Sequence, residues 1–343
     1  MASSRSGNTA LALPGFGVPT TIEPSKPDEF TLAEGNLAEL PIFVLSNKEA
    51  KPKELADYKR HVVLGTRHEN GQEVERSVTV TANPAYGFPT MLANRVLHAV
   101  IAASQEQRFE SPFVFITRHQ IAMKLGYQQP GATEYRLILD ALKALRSIVL
   151  VAADCWHDKN KKARERCVKS AGLIADFDFK DERQQQGQLR LVNSDGVPQR
   201  SYVKLSDLVY TSLRAGYHFG IELPYLSALG PLPGRLYEYL TKKDDQKTTF
   251  TEGVKSLGRK MTLKKTAPSD IMAALGPALD SLQREVAVPG VERRRRFLES
   301  WKYDREAAQV SVVFYGPAKE RGRERLREIQ SQLERVRAAG ARS

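Results

Sequence analysis

Apolar residues along the chain switch between a period of two and a period near three and a half, and the switches mark the expected elements. The first 38 residues keep neither period. Pro14, Gly15, Gly17, Pro19, Pro24 and Pro27 interrupt a Ser- and Thr-rich stretch that reads as a flexible leader without a fold. Ordered sequence is expected from Leu40-Pro41-Ile42-Phe43 onward. Two alternating runs, His61–Thr66 and Val74–Thr81, bracket Asn70-Gly71, a strong hairpin signal. After Pro89, residues Leu92, Val96, Ala99, Val100 and Ala103 recur at helical spacing and predict a first core helix.

A short strand at Phe113–Ile116 leads to Thr117, whose hydroxyl is placed to cap a helix Arg118–Leu125 that Gly126 ends. Beyond Pro130-Gly131, the residues Ile138, Ala141, Leu142 and Leu145 form the apolar stripe of a helix Ala132–Arg146, with Arg136, Asp140 and Lys143 on its other side. Two apolar runs, Ile148–Trp156 and Cys167–Phe179, read as a hairpin whose connector, residues 157–166, holds five Lys and Arg against two acids. Three helices followed by a hairpin with a basic tip is the order of a winged helix, a relative of the helix-turn-helix.

The order then returns. After a Gln-rich loop at Gln184–Arg200 and an apolar stretch Ser201–Tyr210, the pattern predicts helices Leu223–Leu229 and Leu232–Lys243 and a strand Lys247–Phe250. A helix Glu252–Met261 capped by Thr251, a helix Ala267–Val286 and a hairpin of Phe297–Tyr303 and Gln309–Tyr315 complete it. The expected fold class is α+β, with two tandem winged-helix domains at 39–222 and 223–316 between the leader 1–38 and a basic C-terminal helix or tail, 317–343. In that last helix Leu326, Ile329, Leu333 and Val336 make a seam of under two heptads, too short to hold a homodimer alone.

Composition narrows the function classes. With 41% hydrophobic and 27% charged residues the chain can bury sizeable cores. It has no run near the ~20 apolar residues of a membrane span and no secretion-type N-terminus, so a cytoplasmic protein with no membrane partner is expected. The net charge of +12 favours polyanions, and residues 291–343 alone hold 14 Lys and Arg against 8 Asp and Glu, half the excess.

Residues suited to chemistry are sparse. The six histidines never fall two apart, which disfavours a nicking endonuclease of the tyrosine type. Gly253-Val254-Lys255-Ser256-Leu257-Gly258 has the glycine spacing of a phosphate loop but continues with Arg259-Lys260 and lies in an expected helix. Cys155, His157 and Cys167 fall short of the four ligands of a closed zinc site and read as buried thiols beside a solvent-facing His. No catalytic site, metal site or cofactor is nominated.

The basic positions do organise. Expected DNA-binding residues are Arg118, Lys124, Thr133, Tyr135, Arg136 and Lys143 in the first helix-turn-helix and Lys161, Lys162 and Arg164 at the first wing. In the second half they are Lys255, Arg259, Lys260, Lys264, Lys265 and Ser269, then Arg295, Arg296 and Lys302 around the closing hairpin. Lys and Arg at such points neutralise phosphates and release counterions, whereas selectivity must come from side chains such as Thr133, Arg136, Ser269, Asp270 and Ala273 on the presented helices.

Leu40-Pro41-Ile42-Phe43, Pro84-Ala85-Tyr86-Gly87-Phe88-Pro89-Thr90, Thr117-Arg118-His119-Gln120-Ile121-Ala122, Leu125-Gly126-Tyr127 and Gly234-Arg235-Leu236-Tyr237-Glu238-Tyr239-Leu240 together resemble the bacterial replication initiator protein A family, which is similar to the TrfA-type plasmid initiators. The resemblance spans about residues 40–290. It implies a protein that binds repeated double-stranded sites at a plasmid or mobile-element origin, helps open the neighbouring duplex and recruits host helicase and polymerase machinery, with a homodimer among its forms. Two other readings stand beside it: a transcriptional repressor on the same scaffold, and a metal-dependent nuclease with an unrecognised carboxylate site.

Overall fold

The structure, a computed structural model, describes residues 30–69, 72–157, 169–180, 200–244, 248–288 and 294–316, together with Arg327 and Ser331. All of the expected wing tip at 157–166 except His157, nearly all of the Gln-rich loop and almost all of the C-terminal helix lie outside the described residues.

The described chain opens with strand β1 (Phe30–Glu34) and helix α1 (Gly35–Glu39), then a short α2 (Asn47–Ala50) and the long strands β2 (Lys59–Glu69) and β3 (Gln72–Thr81). Helix α3 (Met91–Glu106) is followed by β4 (Phe113–Phe115), α4 (Arg118–Lys124) and α5 (Ala132–Ser147). Strands β5 (Val149–Ala153), β6 (Lys169–Ala171), β7 (Ile174–Asp178) and β8 (Tyr202–Leu205) come next, then α6 (Asp207–Arg214) and β9 (His218–Glu222). The second half runs α7 (Leu223–Ala228), α8 (Pro231–Lys243), β10 (Thr249–Gly253), α9 (Val254–Lys260), α10 (Pro268–Gln283), β11 (Leu298–Asp304) and β12 (Gln309–Phe314).

The mixed α+β composition matches the expectation, but the pairing of the strands redistributes the parts. Among the described residues four antiparallel sheets form: β1-β9, β2-β3-β5-β6, β4-β8-β7 and β10-β12-β11. β5 and β6 do pair, with Val151 opposite Ser170, yet β5 also joins β3 and so extends the first hairpin. The strand preceding α4 pairs instead with β8, Val114 opposite Val203, and β7 completes that sheet from the other side. The strands after α5 that share a sheet with β4 are therefore β7 and β8, whereas β5 and β6, from the expected hairpin Ile148–Phe179, join the sheet of β2 and β3. In the second half β10 pairs with β12 and β12 with β11, so the same arrangement recurs with the hairpin where the sequence places it.

Two further boundaries move. Residues 30–38, part of the expected leader, are ordered: Leu32, Ala33, Leu37 and Ala38 are fully buried, and β1 pairs along its whole length with β9. Helix α9 begins at Val254 with Gly253 at its cap position, because Thr251 and Glu252 continue the strand.

The buried apolar residues form one contiguous cluster from Leu32 to Phe314. Helix α3 lies within it, with Val96, Leu97, Val100 and Ile101 fully buried, and it packs on α5, α4, α7 and α8. Burial on nearly all sides explains why this helix is richer in Ala and Val than an ordinary amphipathic surface helix.

Candidate nucleic-acid interface

Helix α4 starts from a reciprocal cap. Thr117 Oγ1 accepts from the Gln120 amide at 3.1 Å, and Gln120 Oε1 accepts from the Thr117 amide at 2.9 Å. The turn after α4 passes through Gly126 at φ +89°, a left-handed conformation that favours glycine. At the start of α5 the Gly131 amide donates to Glu134 Oε2 at 2.8 Å and holds that carboxyl below its ordinary range, so the Glu134 charge serves the helix end.

Ile138, Ala141, Leu142 and Leu145 are buried, which leaves Thr133, Arg136, Leu137 and Asp140 of α5 exposed. Beside this face the Arg118 guanidinium lies 5.7 Å from the Tyr135 ring and 5.8 Å from the Phe179 ring, and His119 Nδ1 is 3.1 Å from the Tyr135 hydroxyl. These contacts brace α4, α5 and the outgoing end of β7 against one another. The sequence reading missed His119 and Phe179. His119 carries a local signal, since it is the first helical residue after Arg118, whereas Phe179 approaches only because β7 leaves its neighbour to pair with β8.

Other residues of the first group are occupied within the protein. Lys124 forms an ion pair with Glu106 at the surface. Lys143 Nζ sits 3.9 Å from Asp140 and 5.8 Å from the Tyr86 ring. Lys161, Lys162 and Arg164 lie outside the described residues. The described cations flanking the β7–β8 hairpin are Lys180 and Arg200, on either side of residues 181–199.

In the second half Lys255 and Arg259 are exposed on α9, Lys264 and Lys265 on the connection to α10, and Ser269, Asp270 and Ala273 on the first turns of α10. Ile271, Leu275, Leu279 and Leu282 anchor the opposite side of α10 in the core. Lys302 is exposed on β11, and Arg305 at the tip of the β11–β12 hairpin. Among the described residues, none of Lys255, Arg259, Lys264 and Lys265 enters an ion pair, so four positive charges converge on one helix-turn-helix uncompensated.

Three further expected residues have partners within the protein. Lys260 Nζ lies 2.5 Å from Glu252 Oε1 and 2.6 Å from the Tyr239 hydroxyl. Burial works to raise the Glu252 carboxyl, but Lys260 and Ser256 more than offset it and hold the group below its ordinary range. Arg295 is buried, with Nε 3.0 Å from Glu222 Oε2 and its backbone bridged to Val286. Arg296 donates to the Leu298 and Glu299 carbonyls, both at 2.9 Å, and pairs with the Glu299 carboxylate at 3.1 Å. Lys260 and Arg296 are held by groups of the second half, whereas Arg295 ties that half to Glu222 at the end of β9; proximity in sequence to free cations is what made them look alike.

Among the described residues no group of three or more His, Cys, Asp and Glu is placed to hold a metal. Burial raises the Cys155 thiol to about 11, and its Sγ donates to the Ser77 carbonyl at 3.1 Å. No described helix is long and apolar enough to cross a membrane.

No family model and no curated protein sequence matches the chain. Among the solved structures that align with it at low similarity are two of RctB. A selenomethionine form of domains 2 and 3 of RctB is 14% identical with a TM-score of 0.47, over 79% of this chain and 99% of that one. A second structure of RctB domains 2-3 is 12% identical with a TM-score of 0.41, over 80% of this chain and 97% of that one.

Proposed function

We propose that the chain is a double-stranded-DNA-binding replication initiator built on two winged-helix units. The observation that carries the reading is the repeated arrangement itself. In each half a helix precedes a short strand, two helices follow, and a hairpin returns to pair with that strand: α3, β4, α4, α5 and β7–β8 in the first, α8, β10, α9, α10 and β11–β12 in the second. In such units the last helix enters the major groove while the preceding helix and the hairpin meet the backbone.

The exposed cations support the assignment at the places where phosphate would lie. Lys255, Arg259, Lys264 and Lys265 precede α10, as the half-buried Arg118 precedes α5. Exposed Thr133 and Arg136 on one helix, and Ser269 and Asp270 on the other, are suited to base edges: Arg to guanine, Asp to the cytosine amino group. The sequence resemblance to plasmid initiators supplies the biological role, including origin repeats, recruitment of host helicase and polymerase machinery and a homodimeric form. In this reading the protein positions DNA and partners and performs no bond-breaking chemistry of its own.

Footprinting on the DNA flanking the gene tests the role. Protection of tandem direct repeats beside an A·T-rich tract is the expected result, and a single palindrome over a promoter would identify a repressor instead. Nicking of a supercoiled plasmid by the pure protein with Mg²⁺ would refute the non-enzymatic assignment.

A further inference from the structure

We infer that a buried polar joint between α3 and α8 fixes the separation of the two presented helices, α5 and α10, so that the protein selects DNA by the spacing between two half-sites. The inference rests on the DNA-binding reading above and adds to it a specificity that no base contact supplies.

The joint brings together three parts of the chain. Asn94 and His98, one turn apart on α3, both reach Glu238 on α8: Asn94 Nδ2 donates to Oε2 at 2.9 Å, and His98 Nε2 lies 3.0 Å from Oε1. Arg235, one turn before Glu238, gives Nη1 to Oε2 at 2.8 Å and Nη2 to the carbonyls of Ala38 at 2.9 Å and Leu40 at 2.8 Å. The next two carbonyls, Pro41 and Ile42, accept from Arg60 of β2. Two guanidinium groups, one from each half, thus grip four carbonyls of the segment 38–42. Arg95 of α3 adds a bond to the Leu229 carbonyl just before α8.

Apolar faces can slide over one another, whereas a planar guanidinium held to fixed carbonyls has one productive geometry. The joint is also not the arrangement that stability alone would select. Arg235, Glu238, His98 and Asn94 are all fully buried, and Arg235 Nε, His98 Nδ1 and Asn94 Oδ1 find no hydrogen-bond partner among the described residues. Replacing a buried ion pair by well-packed apolar residues is often neutral or stabilising, and the best-attested use of such buried charge is to fix a register. From the joint, rigid packing continues outward: α5 lies on α3, and α10 on α8. No flexible linker intervenes on that path, so the distance between the two helices is set by packed side chains.

Two measurements on the full chain test this. With Cys155 and Cys167 replaced by Ser and spin labels at Thr133→Cys and Ser269→Cys, the distance distribution without DNA should be a single narrow peak. It should broaden in Glu238→Gln and in Arg235→Met, each checked by thermal unfolding to be folded. On duplexes carrying both half-sites, inserting about 5 bp, half a helical turn, should weaken wild-type binding at least about tenfold, and Glu238→Gln should lose less than about threefold. A broad wild-type distribution, which needs no variant to fold, would overturn the proposal. So would equal wild-type affinity at every spacing, with DNA binding itself intact. Absence of duplex binding at any spacing would instead overturn the reading on which the proposal rests, and the proposal with it.

Discussion

Arg235 and Glu238 stand one turn apart on α8 and meet at 2.8 Å with neither side chain exposed. Burial works to raise the Glu238 carboxyl, and the Arg235 charge with the hydrogen bonds from His98 and Asn94 reverses the effect and holds it below its ordinary range. Replacing Glu238 with Ala strands a buried guanidinium, and unfolding in urea should show a loss of about 3–5 kcal/mol. The double replacement Arg235→Met with Glu238→Leu should cost less than Glu238→Ala alone, because it removes both charges together.

The cap on α4 has a separable contribution. Thr117→Ala removes the acceptor for the Gln120 amide and should destabilise the protein by about 1 kcal/mol, whereas Thr117→Ser should be nearly neutral. Denaturant midpoints of the two variants distinguish the lost hydroxyl from the lost methyl group.

Acid should unfold the protein in a predictable window. Glu39 is held to about 2, against an ordinary 4.5: burial alone would raise it, and Lys242 and Lys243, at 3.0 and 2.6 Å, more than compensate. Because the folded value lies below the unfolded one, this stabilisation is complete above about pH 4.5 and disappears as the pH falls toward 2. Glu238 and Glu252 act in the same direction. Burial raises Glu34, so its protonation opposes them. A net loss of stability below pH 4.5 is expected, and Glu39→Gln should flatten the pH dependence in that range.

Neighbouring cations on α9 should separate into two behaviours. Lys255→Ala and Arg259→Ala remove exposed charge, so each should reduce the slope of log K against log salt by ~0.9 for DNA with little change in stability. Lys260→Ala removes the partner of Glu252 and Tyr239, so it should lower the unfolding midpoint and leave the salt slope unchanged.

Local chemistry made the helix-turn-helix parts legible. Thr117 followed three residues later by Gln120 announces a helix start, and Ile138, Ala141, Leu142 and Leu145 announce a buried face, because both signals lie within one or two turns of chain. Strand partnership carries no such local mark. Phe113–Phe115 pairs with Tyr202–Leu205 far along the chain, and Phe30–Glu34 is a strand only because His218–Glu222 lies beside it. The same limit applies to the site: Lys255 and Lys260 are equivalent in a charge count and differ only through Glu252 and Tyr239, which the fold brings to one of them.

The central claim is that both presented helices grip one duplex, and hydroxyl-radical footprinting tests it most directly. Wild-type protein should protect two adjacent blocks of a bound site. Thr133→Ala with Arg136→Ala should erase one block, and Lys255→Ala with Arg259→Ala should weaken the other. A footprint unchanged by either pair of substitutions, or loss of both blocks from the first pair alone, would contradict the account.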